Sequence, residues 1–379
     1  MLKVGLIEQP LHTRYSPTAL VSAGYLTALA TRMDSFWLPD HLNSVFPQSV
    51  MTEKYVGTAR LVPNADAHHE SWTVLGRLAG RNLGRLRLGI GVTDTGRRNP
   101  AATAQAAATL HHLTRGRAIL GIGTGARDSN EPYGVDWAKP VGRFEEAVAT
   151  IRALWNSAGE LVSRDSPFFP LRNATFDLPP YRGQWPPLWI AAHRPRMLRI
   201  TGRYADGWFP AAMFLRPEDY AAGLQTIRAA ASNAGRDPMS LTAAGLFFVM
   251  TGSSRDEVDE ALESQVMRAF ALNAPAQMWA RHGASHPLGD DSTGAQDIML
   301  RTLDEQTIVS HTAHVPPSLP KELLLAGTPD DVIDQLAEWR DHGLRYPVIG
   351  NLSAVQPSLR RGLAANLPMA KILRRLRKL

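Results

Sequence analysis

Short, nearly unbroken apolar runs recur along the chain, separated by longer stretches whose apolar residues return every three or four positions. Eight of the runs read as strands: Lys3–Ile7, Ser35–Leu38, Leu86–Thr93, Ala118–Gly123, Leu188–Ala192, Gly207–Phe209, Leu241–Met250 and Tyr346–Gly350. Most are apolar without alternation, which predicts parallel strands buried on both faces. The helical stretches include Pro100–Leu113, Arg143–Trp155, Pro217–Ala234, Arg255–Phe270 and Pro329–Asp341. Several open on capping residues: Asn99 before Pro100, Ser253 and Ser254 ahead of Asp256, and Thr328 before Pro329 with Asp331 in the first turn. Strand followed by helix, eight times over, predicts one α/β domain over 1–379, a (β/α)8 TIM barrel with its ligand chemistry at the C-terminal ends of the strands. Residues 42–69, 157–186 and 271–325 are too long for ordinary βα loops and read as insertions, either active-site lids or a dimer contact.

Composition narrows the function. With 44% hydrophobic and 20% charged residues, the 379-residue chain is an ordinary globular one. It has no cysteine, which excludes disulfides, thiolate zinc sites and cysteine nucleophiles together and makes the cytoplasm the expected compartment. Its 12 histidines show no H-E-x-x-H spacing, so no metal site is expected. The net charge of +6, with arginine far outnumbering lysine, is too small a bias to indicate a nucleic-acid partner. No window approaches eighteen uninterrupted apolar residues, so no transmembrane segment is expected. The basic run Met369–Leu379 reads either as a membrane-surface helix, which would put the protein at the inner membrane surface, or as a last outer helix with a solvated face.

Four motifs fall where a barrel places its chemistry. Leu38-Pro39-Asp40-His41 ends the second strand; a carboxylate beside an imidazole there either binds a cofactor edge and handles a proton near pH 7 or caps the next segment. The run Gly89 to Pro100 leads through Gly91, Val92 and Asp94 to Arg97 and Arg98, which suit an anionic tail or simply a surface turn. Gly121-Ile122-Gly123-Thr124-Gly125 continues through Ala126, Asp128, Asn130 and Glu131; it lacks the Rossmann spacing but offers N–H groups and hydroxyls for phosphate or ribityl contacts. Ala191-Ala192-His193-Arg194 ends the fifth strand just ahead of a helix start at Pro195, an anion-binding arrangement or close packing of strand on helix.

In this order the motifs resemble the bacterial-luciferase-like superfamily of flavin and deazaflavin enzymes over essentially the whole chain, and within it the coenzyme F420-dependent branch. The stretches NPAATAQAAATLHHLTRGRAILGIGTG, NEPYG, RFEEAVATIRALWNS, FDLPPYRG and PDDVIDQLAEWRDHGLRY are similar to the mycobacterial phthiodiolone and phenolphthiodiolone dimycocerosate ketoreductases. The resemblance implies a TIM barrel holding F420 at its C-terminal face, with reduced F420 giving a hydride to the ketone of a long-chain lipid. It also implies a homodimer and a non-prolyl cis peptide at Gly91-Val92. Asp40 and His41 would meet the deazaflavin ring, Asp94, Gly123, Thr124, Gly125 and Asn130 would lie by the ring edge or side chain, and Ala191, Ala192, His193 and Arg194 would take the phosphate. Ala126 stands where many relatives carry a glutamate proposed as proton donor, which leaves His41, then Glu131 and Asp128, as candidate acids. The long lipid calls for an apolar groove, for which the Trp37 and Phe46 neighbourhood and Met278 and Trp279 are candidates, or else they pack lid on barrel. The rival readings are an FMN-dependent luciferase-like monooxygenase and a flavin- or lipid-binding protein without turnover.

Overall fold

The computed structural model describes residues 2–82 and 86–379. All eight expected strands form: β1 Gly5–Ile7, β2 Ser35–Leu38, β3 Arg87–Asp94, β4 Ala118–Gly123, β5 Leu188–Ile190, β6 Gly207–Trp208, β7 Thr242–Thr251 and β8 Tyr346–Asn351. Each pairs in parallel with the next, and β8 returns to β1 with Gly5 opposite Val348, so the sheet closes into a barrel. Closure removes free edges and buries both faces, which is why the strands read as unbroken apolar runs.

Side chains alternate across the wall. Phe36, Leu88, Leu120 and Leu188 point outward into the layer beneath the helices, whereas Trp37, Ile119, Trp189 and Phe209 fill the lumen with Tyr346 and Val348. Helices Pro100–Leu113 and Pro329–Asp341 have the expected bounds. Asn99 caps the first by accepting from the Ala101 N–H at 2.9 Å, and Thr328 with Asp331 forms a capping box on the second. The expected helix Arg255–Phe270 is instead two, Arg255–Leu262 and Gln265–Phe270. Ser264 takes an extended backbone between them, and its hydroxyl donates to the Ala261 carbonyl at 2.6 Å in place of a helical N–H.

The long segments carry structure of their own. An antiparallel hairpin, Val162–Arg164 with Leu171–Ala174, occupies 157–186, and a short strand Leu325–Gly327 pairs with the end of β7. Segments 42–69 and 271–325 share a separate apolar core, in which Phe46 stacks on Phe270 at 4.9 Å between centroids. Met278 and Trp279 belong to that core at 2% exposure each, and Trp37 is fully buried in the lumen. The residues considered for a lipid groove therefore pack lid on barrel. The last helix, Asn366–Leu376, buries Met369, Ile372, Leu373 and Leu376 in the main core, so its apolar face is consumed by the protein and its basic face is the solvated one.

Candidate active site

Four consecutive strands deliver the motif residues to one end of the barrel. β2 leads to Asp40 and His41, β3 to Asp94, Arg97 and Arg98, β4 to Thr124 and Gly125 with the turn to Asn130, and β5 to Ala191 through Arg194. The lumen beneath is closed by Trp37, Trp189 and Phe209, with Trp37 at 5.2 Å from Trp189 and 4.9 Å from Phe209 between ring centroids. Above this floor β3 shifts register against β4 between Ile90 and Thr93, and the Gly91-Val92 peptide is cis, as the resemblance implies. A Cβ on Gly91 would lie 3.0 Å from Trp37 and 3.2 Å from Phe209, so the backbone rests on aromatic faces.

Charge is concentrated where β2 and β3 end. Asp40, only 5% exposed, accepts from Thr93 Oγ1 at 2.7 Å and from Arg98 Nε at 3.1 Å, and Arg97 Nη2 donates to the Asp40 carbonyl at 2.5 Å. Burial alone would raise the Asp40 carboxyl; the Arg97 charge, the Thr93 hydroxyl and Arg98 outweigh it and hold the group below its ordinary value. Asp94 accepts from Arg97 Nε at 2.7 Å and from the Gly96 and Arg97 N–H groups at 3.0 and 2.8 Å. Arg98 also pairs with Glu70. The two arginines that the sequence offered to an anionic tail are thus engaged by three carboxylates of the protein.

The β4 turn is built around Asn130. Gly125 adopts φ +81°, and a Cβ there would come within 2.7 Å of Asn130 Nδ2, which donates to the Ala126 carbonyl at 2.9 Å. Among the described residues, Thr95 Oγ1, Asn130 Oδ1 and His193 Nδ1 at this end are buried polar atoms without a hydrogen-bond partner. Burial, reinforced by Arg194, pushes His193 down to about 4, so it is neutral at pH 7. Arg194 is exposed, directly ahead of helix Pro195–Tyr204, and makes no ion pair among the described residues.

The candidate acids differ in setting. His41 is half-buried; burial and then Arg97 push its imidazole below the ordinary value, against the pull of Asp128, Asp40 and Asp94. Asp128 accepts from Asn43 Nδ2 at 2.7 Å and from Ser129 Oγ at 3.1 Å. Glu131 is exposed and pairs with Arg127 at 3.2 Å. Among the described residues no three His, Asp or Glu side chains gather as metal ligands.

Sequence reasoning did not single out Thr93, Asn43 or the tip of the 271–325 segment. Gln296 Nε2 donates to the Gly125 carbonyl at 3.1 Å, Trp137 Nε1 donates to Asp297 at 2.8 Å, and Arg301 donates to the Tyr133 hydroxyl at 3.1 Å and the Asp128 carbonyl at 3.3 Å. These contacts roof the β4 turn. Their partners lie 160 or more residues apart, beyond any local periodicity.

A family profile described as luciferase-like monooxygenase matches residues 17–346. The chain belongs to this family. It is 59% identical, over 100% of its length and 99% of the relative's, to the phthiodiolone/phenolphthiodiolone dimycocerosates ketoreductase of Mycobacterium tuberculosis. Among solved structures it is similar to an F420-dependent secondary alcohol dehydrogenase in complex with an F420-acetone adduct, with a TM-score of 0.72 and 20% identity, covering 98% of this chain and 99% of that one. It is also similar to the coenzyme F420-dependent tetrahydromethanopterin reductase of Methanopyrus kandleri, with a TM-score of 0.70 and 19% identity over 96% of both chains. At these identities the two structures establish the barrel fold; the family membership rests on the profile and on the full-length relative.

Proposed function

We propose that this protein is an F420-dependent ketoreductase that reduces the ketone of a phthiodiolone-type long-chain lipid to the secondary alcohol. The observation that carries the reading is the 59% identity to the mycobacterial ketoreductase along the whole chain, with no motif segment left out. The alcohol dehydrogenase and tetrahydromethanopterin reductase that share the fold are F420-dependent by description, which supports the coenzyme.

The mouth fits such a coenzyme on its own chemistry. Thr95, Asn130 and His193 present buried polar atoms with no partner among the described residues, and Arg194, without an ion pair among them, offers a cation at a helix N-terminus. His193 and Arg194 would hold the phosphate, Asn130 and Thr95 the polar edge or side chain, and Gly91-Val92 the flat face. Reduced F420 supplies a hydride when bound.

The remaining work belongs to the chain. The ketone carbon accepts the hydride, the carbonyl π pair moves to oxygen, and that oxygen takes a proton. His41 is assigned to the proton: it follows Asp40 on the loop after β2, and the nearby carboxylates Asp128, Asp40 and Asp94 partly offset the burial and the Arg97 charge that disfavour its charged form. Asp128 and Glu131 are already committed to Asn43 and Arg127, which leaves them as positioning groups. Leu42 and Val45, on the same loop as His41, stay 43% and 38% exposed, and Tyr133 stays 46% exposed across the Asn43–Asp128 contact. This exposed apolar rim is where the lipid's alkyl chain would enter.

The test is spectroscopic. Titration with F420 and separately with FMN, followed by single-turnover oxidation of reduced F420 with a long-chain ketone, should show preference for F420 and ketone-dependent oxidation. Tighter binding of FMN, or oxidation that ignores the ketone, would overturn the reading.

A further inference from the structure

The end of the barrel opposite the motif residues holds a cavity of about 610 Å3. Its charged lining comes from the starts of separate strands and from the last helix: Lys3, Arg32, Asp34, Arg87, Arg117 and Arg377. Five cations thus face one acid. Asp34 is partly spent, since one of its carboxylate oxygens accepts the Val4 N–H at 2.8 Å.

None of the five cationic side chains makes an ion pair or a side-chain hydrogen bond with any other described residue. The Nε of Arg377 is buried and has no hydrogen-bond partner among the described residues. Elsewhere this chain pairs its arginines readily, as with Arg152 on Asp206 at 2.8 Å, Arg203 on Glu145 at 2.8 Å and Arg164 on Glu146 at 2.6 Å. Like charges gathered around a recess repel one another, and a buried guanidinium nitrogen without an acceptor costs free energy. The barrel does not require them, because its core is closed by Tyr346 and the lumen aromatics.

We propose that this basal cavity is a binding site for a small anion carrying one or more phosphate groups. Guanidinium forks match phosphate oxygens bidentately, and Lys3 adds a compact charge. A recess of this volume lies within the range of small-molecule sites and exceeds what a lone inorganic phosphate needs. The ligand's phosphate belongs either to a free phosphate ester or to a phospholipid headgroup, and both present the same oxygens. The site lies at the other end of the barrel from Asp40 and His41, so it is separate from the ketoreductase chemistry and does not depend on that assignment.

Calorimetric titration of the full-length protein with inorganic tripolyphosphate, at constant ionic strength, tests it. Lys3 and Arg117 are exposed and unpaired among the described residues, so a Lys3→Gln/Arg117→Gln double variant should fold; Lys371→Gln/Arg374→Gln, on the outer face of the last helix, removes the same net charge elsewhere. The expected result is saturable binding of one ligand per chain, weakened about tenfold or more in the first variant and little changed in the second. Vesicles containing phosphatidylglycerol form the second arm. Vesicle binding that tripolyphosphate displaces, and that the first variant loses, assigns the phosphate to a lipid headgroup; no vesicle binding assigns it to a free ester. Non-saturating heats, equal loss in both variants, or vesicle binding without tripolyphosphate binding overturns the site.

Discussion

Thr93 Oγ1 donates to the Asp40 carboxylate at 2.7 Å, tying the last turn of β3 to the loop that follows β2. The same carboxylate accepts from Arg98, and Arg97 bridges from Asp94 to the Asp40 carbonyl. Asp40, Asp94 and Thr93 have almost no solvent access and Arg97 little, while Arg98 reaches the surface, so the carboxylates form a largely buried ion network rather than a surface pair.

Asp40→Asn should therefore destabilise the protein by about 2–4 kcal/mol, because it leaves Arg97 and Arg98 short of a buried counter-charge. Thr93→Val removes one neutral-to-charged hydrogen bond and should cost about 1–2 kcal/mol. Denaturant melts of both variants check the ordering. A smaller loss for Asp40→Asn than for Thr93→Val would show that the network is not what holds this end together.

The barrel was largely legible in the sequence. Ala118–Gly123 is an unbroken apolar run with the bounds the strand has, and Ser35–Leu38, apolar after Ser35, likewise has the strand's bounds, because a strand buried on both faces leaves no room for polar alternation. The motif residues were legible because each follows a strand directly. The Asp40 network was not, since Thr93 and Arg98 lie 53 and 58 residues from Asp40 and only barrel closure brings them together. The second core escaped for the same reason: Phe46 and Phe270 lie more than two hundred residues apart and meet only across the closed barrel. The basal cations each look like an ordinary strand-start or turn residue until five separate elements converge.

His41 carries the pH prediction for turnover. If its protonated form delivers the proton, kcat/KM for ketone reduction should rise as pH falls below the ordinary histidine value and level off only at the depressed value. His41→Ala should lower turnover by about 10²–10⁴-fold while leaving coenzyme affinity within a few-fold. Ala126→Glu, which places a carboxyl beside the same turn, is the companion: rescue of the His41→Ala rate would show that the proton can come from either side.

Stability should fall on the acid side of neutrality, and the sign follows from burial. His68, His111 and His193 are held at about 4 in the fold, chiefly by burial, and return to about 6.5 when unfolded. The unfolded chain therefore binds more protons between these values, and their stabilisation, present above pH 6.5, is lost as pH drops through the window. Glu8, half-buried against Gly24 and raised to about 7 by burial, opposes this, because its neutral form favours the fold up to that pH. His41 and His286 are also lowered by burial, so the histidines outnumber the one carboxyl and unfolding takes up protons on balance in this window. Urea titrations at pH 7.5, 6.5 and 5.5 measure it, and Glu8→Gln should steepen the decline.

Gly89→Ala tests the aromatic floor. A Cβ there would lie 2.2 Å from Trp37 Cε3, and Trp37 is wedged between Trp189 and Phe209 with nowhere to move. The overpacking should cost about 1–3 kcal/mol and shift the tryptophan fluorescence, whereas Gly76→Ala, on an open helix face, should be neutral or slightly stabilising. Equal melts for the two variants would mean that the lumen yields more easily than close packing allows.

A long lipid must be recognised beside insertions 42–69 and 271–325 that share a packed apolar core. Phe46, Met278 and Trp279 are committed to the second core, so the alkyl chains cannot thread between insertion and barrel. The exposed apolar residues beside His41 are Leu42 and Val45, with Tyr133 across the Asn43–Asp128 bond. A rim of this kind holds only the first part of each chain, and the remainder stays in a micelle or bilayer. Affinity should therefore grow with chain length over the first several methylenes, at about 0.8 kcal/mol for each one buried, and then level off. A truncated ketone should still be reduced, but with lower kcat/KM because remote binding energy is missing. Leu42→Ser/Val45→Ser should erase the chain-length dependence while leaving the rate on the shortest ketone within a few-fold. A dependence that continued to rise with length in that double variant would place the lipid elsewhere on the protein.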